Sequence, residues 1–427
     1  MSVLVERDNI GIFGRMNAGK SSIMNLITQQ ATSIVDSTPG TTADTKISLH
    51  EIHGIGPVRI FDTAGTDEKN QLGEKKKKKV FSDLKECDLV LLVINPSVDD
   101  IEPEEELLKA ARDLDKQILI IYNLFNEKDK DLIPAIESKI GILRFHRKIA
   151  LSANDEGFRR QLIDFILENY EPENPNSEIL PFVKRDEFYV LIIPMDIETP
   201  PGRYLRPQAM VDEYITRNWA YPVSFRLDLK AARGEEAERD TERKRFESLI
   251  NGLAKRPHCI ITDSQAMDVM KDWCPEDVMI TTFSIASIQY MSGGKLKSFA
   301  QGLRSLKGLK QGDSALIVEA CNHSRVGEDI GTVQIPKIFG KKFPGVNVDH
   351  CFGREFQEKK DLQKYSLIIH CGGCMISRQK MAARIRDLDS IGLPYTNYGV
   401  FLSAMHGQDI LMKVLAPWGL EADVPLA

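Results

Sequence analysis

The chain has 427 residues with a hydrophobic fraction of 42% and a charged fraction of 28%, which are values of a folded globular protein. Its length predicts two to three domains. With 56 basic and 62 acidic side chains the net charge is −6, which excludes a predominantly nucleic-acid-binding surface, so no nucleic-acid partner is expected. Apolar runs such as 89–94 are much shorter than the ~20 residues of a membrane-spanning helix, and the charged N-terminus shows no secretory signal. We therefore expect a cytoplasmic protein with no membrane partner.

Short β-rich runs alternate with helical stretches over residues 1–172. This alternation predicts an α/β domain with a mostly parallel sheet that is covered by helices on both faces. A Pro-rich polar stretch at 171–177 predicts the linker that ends it. The predicted strands are 10–13, 47–52, 58–61, 89–95, 117–122 and 148–151.

The first of these strands leads into a phosphate-binding loop. Residues 14–21 match Gly-x4-Gly-Lys-Ser, and a helical run follows them. In such a loop the backbone amides surround the phosphates, Lys20 supplies positive charge, and Ser21 can ligate Mg²⁺. The nucleotide-binding residues predicted here are Gly14, Arg15, Asn17, Ala18, Gly19, Lys20, Ser21 and Ser22.

Two further motifs follow in the order of a GTPase switch domain. Thr41 and Thr42 lie about 20 residues after Ser21, where a mobile loop can bring a threonine hydroxyl to Mg²⁺. Asp62 ends the third predicted strand and would hold the water shell of the magnesium, while the Gly65 amide would contact the γ-phosphate. Lys20, Thr42, Asp62 and Gly65 are the predicted catalytic residues.

The motif that recognises the base departs from the usual Asn-Lys-x-Asp. After the fifth strand the chain has Asn123 and Asn126 at the first and last positions, with no lysine between them. An amide has one acceptor oxygen where a carboxylate has two, so we expect weak selection of GTP over XTP. In the alternative register the motif begins at Asn126 and ends at Asp129. Ser152 and Ala153 resemble the loop that supports the base.

The remaining chain predicts two further α/β domains, at 178–257 and 258–427. The first has predicted strands at 188–193 and 222–229 and helices at 207–217 and 233–253. In the second, βα alternation returns. Its predicted strands are 259–262, 316–319, 366–369 and 396–400.

A group of cysteine and histidine residues marks the C-terminal domain. Cys321 and His323 follow one predicted strand, and His370, Cys371 and Cys374 follow another. If both strands lie in one parallel sheet, both cysteine loops emerge at its carboxyl edge. Three soft thiolates suit an iron–sulfur cluster or zinc, and a [4Fe-4S] cluster held by three cysteines has one iron open to another ligand. Each histidine is either a fourth ligand or a residue that orients the thiolates.

Other interpretations of the cysteines remain. Cys371 and Cys374 alone would suit a redox pair, and the full set would suit structural zinc. We expect Cys259, Cys274 and Cys351 to be packing residues because their spacing fits no metal motif.

The phosphate-binding loop resembles the TrmE and Era branch of small GTPases through Asn17 and the triplet at 40–42. The resemblance implies that Asn17 binds a K⁺ ion that takes the role of an arginine finger. The catalytic glutamine of that branch is not evident, which implies slow intrinsic hydrolysis stimulated by K⁺. The five lysines at 75–79 favour a solvated helix face.

A GTPase domain joined to Cys-x-His and His-Cys-x-x-Cys resembles the [FeFe]-hydrogenase maturation GTPases of the HydF family. The segments 193–197 with 201–203, 261–265 and 312–321 add to the resemblance, which covers nearly the whole chain. It implies a scaffold that binds GTP, Mg²⁺ and a [4Fe-4S] cluster on Cys321, Cys371 and Cys374. It also implies a transient di-iron cargo received from the radical-SAM maturases HydE and HydG and passed to the apo-hydrogenase HydA. Strand pairing in the middle segment would give a dimer, or a tetramer.

Two other functions are open to the same sequence. One is an Era- or TrmE-like GTPase of RNA modification with a structural zinc domain, against which the acidic pI of about 5.9 argues. The other is a thiol redox protein that uses Cys371 and Cys374, which would leave the spacing of Cys321 unexplained.

Overall fold

The computed structural model describes residues 7–29, 46–63, 65, 71–171, 178–194, 204–320, 329–353, 356 and 359–420. Within these residues the chain forms two compact units, 4–174 and 175–427. None of the described helices is both long enough and apolar enough to cross a membrane.

The first unit is a six-stranded sheet with helices on both faces, as predicted. The strand order is β2-β3-β1-β4-β5-β6, and all neighbours are parallel except β2 and β3. Its strands are β1 (Asp8–Phe13), β2 (Lys46–Ile52), β3 (Gly56–Asp62), β4 (Leu89–Ile94), β5 (Gln117–Asn123) and β6 (Arg147–Leu151). Its helices are α1 (Lys20–Thr28), α2 (Gln71–Glu86), α3 (Glu102–Asp113), α4 (Ile133–Lys139) and α5 (Arg159–Asn169).

The continuous apolar run of β4 explains why this strand lies at the centre of the sheet. All six of its side chains are buried. Leu89, Leu91 and Val93 join the core on one face, while the alternate residues Val90 and Leu92 join the core on the other. A strand buried on both faces is typical of a parallel sheet with helices on each side.

The second unit contains two four-stranded parallel sheets. Their orders are β10-β9-β7-β8 and β12-β11-β13-β14. The strands are β7 (Phe188–Pro194), β8 (Tyr221–Leu227), β9 (Cys259–Thr262), β10 (Met279–Thr282), β11 (Ser314–Glu319), β12 (Asn347–Phe352), β13 (Leu367–His370) and β14 (Tyr395–Asn397). The helices are α6 (Arg206–Arg217), α7 (Leu229–Ala232), α8 (Glu236–Gly252), α9 (Met267–Trp273), α10 (Phe283–Met291), α11 (Leu296–Gly302), α12 (Ile335–Lys342), α13 (Lys359–Leu362), α14 (Arg378–Ser390), α15 (Tyr398–Met405) and α16 (Gln408–Leu415).

The two sheets of this unit share one apolar core, which runs from Ile179 to Leu415. The boundary that we predicted between 257 and 258 falls inside the first of these sheets, because β9 pairs with β7 and β10 pairs with β9. The sequence pattern placed β9 with the following strands because it is next to them along the chain.

Four strands differ from the sequence prediction. The predicted strand 222–229 ends at residue 227, because the Asp228 side chain accepts the Ala231 amide and starts α7. The predicted strand 396–400 is wrong after residue 397, because the Asn397 side chain accepts hydrogen bonds from the Gly399 and Val400 amides and starts α15. Strands β10 and β12 were not predicted. β10 has only four residues, and β12 is an edge strand without fully buried side chains.

Gly302 gives a test of the contact between α11 and β14. A Cβ at this position would overlap the backbone carbonyl oxygen of Tyr395. We expect Gly302→Ala to destabilise the second unit by about 1–3 kcal/mol, the usual cost of overpacking. Urea unfolding followed by tryptophan fluorescence measures this unit selectively, because Trp219, Trp273 and Trp418 all lie in it.

Gly308→Ala is the matched control for this prediction. A Cβ at 308 would meet no atom within 4 Å, so its unfolding midpoint should stay within error of the parent or rise slightly. Equal midpoints for the two variants would show that α11 does not press on β14 as described.

Candidate functional site

Loops from the carboxyl edge of the first sheet form the candidate nucleotide site. Gly14 and Gly19 have φ values of +146° and +95°, and a Cβ at either residue would overlap Val93 or Asn123. Asn17 also has a positive φ, +61°. These positions explain the two glycines of the phosphate-binding loop, because only a residue without Cβ fits there.

The polar side chains at the start of α1 face this loop and β3. Lys20 is buried, and its Nζ donates to the Gly14 and Arg15 carbonyls at 3.1 and 2.6 Å. Ser21 Oγ donates to Asp62 Oδ2 at 2.6 Å. The serine and the carboxylate predicted for the magnesium site are therefore already in contact.

Gly65 follows Asp62 closely in the chain, and Thr63 fixes the start of this segment. The Thr63 Oγ1 donates to the Ile12 carbonyl at 2.8 Å. Thr41 and Thr42, the other predicted switch residues, lie outside the described residues.

Asn123 joins the phosphate loop to the loop after β6. Its Nδ2 donates to the Ala18 carbonyl at 2.9 Å, and its Oδ1 accepts from the Ala153 amide at 3.0 Å. Ser152 precedes Ala153 in this loop, as the sequence predicted for the loop that supports the base. This geometry favours the register that begins at Asn123.

Asp129 has a different position from the one the alternative register needs. Its carboxylate is buried, and Oδ2 accepts from the Phe125 and Asn126 amides at 2.8 and 2.9 Å. Asp129 thus caps the turn at Glu127–Leu132 from within, and its own amide donates to the Asn126 backbone carbonyl at 3.1 Å. To reach a base, Asp129 would have to lose both hydrogen bonds.

Arg15 ties the phosphate loop to α3. Its Nε and Nη2 donate to the two carboxylate oxygens of Glu104 at 2.8 and 3.1 Å, and Nη2 also contacts the Asp100 carbonyl. The Glu104 side chain is only 1% exposed. A bidentate pair of this kind fixes the orientation of the guanidinium.

Cys371 and Cys374 lie in the loop that follows β13 in the third sheet. Cys371 is buried, and its Sγ accepts the Ala320 and Gly373 amides at 3.3 and 3.4 Å. Burial, with a smaller effect of the Cys374 thiol, raises the pKa of Cys371 to about 11, and the two amides oppose this rise. Two amides directed at one sulfur stabilise its thiolate form, which is the form that binds metals.

The carbonyl groups of the same loop point to donors elsewhere in the second unit. The Gly372 carbonyl accepts from Ser287 Oγ at 2.8 Å, and the Cys374 and Ile376 carbonyls accept from Arg206 Nη1 at 2.8 and 3.3 Å. Ser287 lies on α10 and Arg206 on α6, two helices that accompany the sheet of β7–β10. These helices therefore hold the loop after β13, residues 371–376, which we call the thiol loop.

His370 is buried with both ring nitrogens engaged. Nδ1 is 2.7 Å from the Cys371 carbonyl oxygen, and Nε2 is 2.9 Å from Nη1 of Arg384. Burial and the Arg384 guanidinium lower the pKa of His370 to about 3. Both ring nitrogens of His370 therefore have partners, one on the backbone of the loop and one on α14.

Cys321 and His323 lie outside the described residues, although Ala320 brings the chain to Cys371. Among the described residues, no group of three or more His, Cys, Asp or Glu side chains is arranged to hold a metal ion. Cys259, Cys274 and Cys351 pack in or against the apolar core, which confirms their expected role.

Comparison with protein-family models finds three matches along the chain. Residues 9–124 match the 50S ribosome-binding GTPase family, 238–290 the hydrogen maturase F dimerization domain, and 297–417 the hydrogen maturase F tetramerization domain. Together they cover about two thirds of the chain. The chain thus carries a GTPase domain followed by the dimerization and tetramerization domains of hydrogen maturase F (HydF). The dimerization match ends at residue 290, so it includes β9 and β10, as the pairing of the strands does.

Curated relatives resemble the GTPase domain. The tRNA modification GTPase MnmE of Streptococcus sanguinis is 35% identical over 146 residues, 33% of this chain and 31% of MnmE. The GTPase Der of Nitratiruptor is 33% identical over 123 residues, 29% of this chain and 26% of Der. The chain therefore spans less than a third of the length of these relatives.

Solved structures also resemble part of this chain. Era of Aquifex aeolicus, bound to GDP and aluminium fluoride, is 22% identical with a TM-score of 0.34, covering 40% of this chain and 59% of Era. The G domain of the FeoB iron transporter of T. maritima is 23% identical with a TM-score of 0.30, covering 39% of this chain and 100% of that domain.

Several residues that shape the two sites were not found from the sequence. Glu104, Arg206, Ser287 and Arg384 contact the candidate sites from 85 or more positions away along the chain, or from the buried face of a helix. None belongs to a motif with regular spacing. Only a signal for contacts between distant residues could have identified them.

The Arg15–Glu104 pair predicts how α3 supports the phosphate loop. Glu104→Ala removes the bidentate carboxylate partner of the largely buried Arg15 and leaves Asp100 Oδ2 at 4.0 Å from Nη2. Breaking a buried ion pair typically costs about 3–5 kcal/mol. We expect faster amide hydrogen exchange in residues 14–28 of nucleotide-free protein, measured by mass spectrometry. Glu105→Ala, an exposed residue in the same first turn, is the control and should exchange like the parent. Unchanged exchange in Glu104→Ala would show that the ion pair does not hold the loop.

Proposed function

We propose that this HydF-family protein is a GTP-binding and GTP-hydrolysing scaffold that holds a [4Fe-4S] cluster and carries a di-iron precursor to apo-[FeFe]-hydrogenase. The observation that carries the proposal is the thiol loop. Backbone amides are directed at Cys371 Sγ, while side-chain donors hold the loop carbonyls away from it. The partners proposed with it are the maturases HydE and HydG and the hydrogenase HydA.

The described residues fit the chemistry of such a cluster. Cys371 and Cys374 supply soft sulfur ligands, and Cys321 follows Ala320, whose amide already contacts Cys371. Amide hydrogen bonds to sulfur are among the factors that tune iron–sulfur clusters. When bound to three thiolates, the cluster supplies one iron with a coordination position for another ligand.

The GTPase domain would act as the switch of the scaffold. Lys20 would neutralise the β- and γ-phosphates, and Ser21 and Asp62, which already form a hydrogen bond, would hold Mg²⁺ and its water shell. Asn17 would bind K⁺. Without the usual glutamine, hydrolysis would be slow, so the nucleotide state would regulate association with partners.

The dimerization and tetramerization domains support assembly into a homo-oligomer. The sequence suggested strand pairing through the run 188–193. In the structure this run forms β7, which has β8 and β9 on its two sides. A second chain would therefore pair with β8, the seven-residue edge strand next to β7.

Cluster assembly is the direct test of the scaffold. After anaerobic reconstitution with iron and sulfide, we expect about four irons per chain, as in one [4Fe-4S] cluster, and an EPR signal after reduction. Cys371→Ser should lose both, because its sulfur is a predicted ligand. Cys274→Ser, a half-buried packing cysteine, is the control and should retain the cluster. Stoichiometric zinc without a cluster would favour the RNA-modification GTPase, and absence of any metal would favour the thiol redox protein.

The base site predicts an unusual selectivity. The Asn126 amide offers one acceptor oxygen where a carboxylate offers two, so one of the two guanine donors loses its acceptor. We expect the parent to discriminate weakly between GTP and XTP, and Asn126→Asp to increase its preference for GTP by about 10–100-fold, the worth of a hydrogen bond to a charged group. Competition against a fluorescent guanine nucleotide measures both affinities.

Asp129→Ala is the second variant in this competition. It should leave the ratio of GTP to XTP affinities unchanged, because the Asp129 carboxylate accepts backbone amides. A strong guanine preference in the parent that disappears in Asp129→Ala would contradict the register that begins at Asn123.

A further inference from the structure

A buried arginine, Arg384, is connected to the thiol loop by hydrogen bonds through His370. Arg384, on α14, is only 2% exposed. Its Nη1 is 2.9 Å from His370 Nε2, its Nη2 donates to the Gly353 carbonyl at 3.4 Å, and its guanidinium stacks on the Phe356 ring at 5.0 Å. Burying a positive charge costs free energy, which contacts of this kind offset.

The directions of these hydrogen bonds follow from the chemistry of the groups. A guanidinium can only donate, so His370 Nε2 is the acceptor and Nδ1 carries the ring proton. Nδ1–H then donates to the Cys371 carbonyl at 2.7 Å. Arg384, His370 and the backbone of Cys371 therefore form one chain of hydrogen bonds that all point in the same direction, and such chains polarise cooperatively.

Two buried charged side chains, Arg384 and Glu319, lie near the thiol loop. The positive charge of Arg384 also favours the thiolate of Cys371, together with the Ala320 and Gly373 amides. Glu319, buried at the end of the neighbouring strand β11, accepts a hydrogen bond from the Tyr398 hydroxyl. Arg384 thus places a cation near the loop where a carboxylate also lies.

We infer that Arg384, acting through His370, is a positioning residue that raises the reduction potential of the metal centre held by Cys371 and Cys374. The inference rests on the proposed [4Fe-4S] cluster. Reduction by one electron adds negative charge to a centre that already carries thiolates. A nearby buried cation stabilises the reduced form, because water does not screen the interaction there.

The test is a redox titration of the full-length reconstituted protein with dithionite as electron donor, followed by EPR. We expect Arg384→Gln to lower the midpoint potential, with the one-electron reduction equilibrium weakened about tenfold, which corresponds to ~59 mV. Arg384→Lys retains the charge and should restore most of the shift. Arg384→Met, of similar length and without an amide to bury, carries the test if the Gln variant does not fold.

Arg386→Gln is the matched control. Arg386 is on the same helix but exposed, so its loss removes the same charge from a site that water screens, and the potential should stay at the parent value. Equal potentials in the parent and the two Arg384 variants that lack the charge would overturn the inference and leave the scaffold intact. An equal shift in Arg384→Lys would also overturn it, because the effect would then be structural. A parent protein that binds no iron and sulfide would overturn the proposed function and the inference together.

Discussion

The carboxyl edge of a parallel sheet is the constraint on which both candidate sites depend. Every parallel strand delivers its next loop to the same edge, so residues far apart in sequence meet there. In the first unit this brings Ser21 to Asp62 and Asn123 to both Ala18 and Ala153. In the second unit it brings the end of β11 to the loop after β13, where the Ala320 amide meets Cys371. The two candidate sites thus follow one architectural rule.

At both sites backbone amides supply hydrogen bonds to the expected ligand or to sulfur, and side chains hold the backbone in place. The phosphate loop depends on Gly14 and Gly19, which leave its amides free to curve, and on Arg15, which is fixed by α3. The thiol loop turns its carbonyls towards Ser287 and Arg206 and its amides towards sulfur. Each arrangement favours negative charge, whether on phosphate or on thiolate.

The shared core of the two sheets in the second unit gives the thiol loop its supports. Because α6 and α10 belong to the sheet of β7–β10, the HydF dimerization and tetramerization segments are not independent around this loop. The helix α6, whose Arg206 donates to the Cys374 carbonyl, lies between β7 and β8 in sequence, and β8 is the edge at which we propose that chains pair.

The sequence alone determined where the six strands of the first domain lie along the chain and where its phosphate-loop motif falls, since both depend on local hydrophobic patterns and on spacing within one loop. It also located Cys371 and Cys374. Only the tertiary structure decided that β9 pairs with β7, that Asp129 caps a turn, and that Glu104 and Arg384 support the sites. These contacts join residues from separate elements, and their energy comes from burial and hydrogen bonding that arise when the elements pack. A pattern of residues along the chain does not report how separate elements pack. The geometry of a loop motif, by contrast, is set by consecutive residues and can be predicted from them.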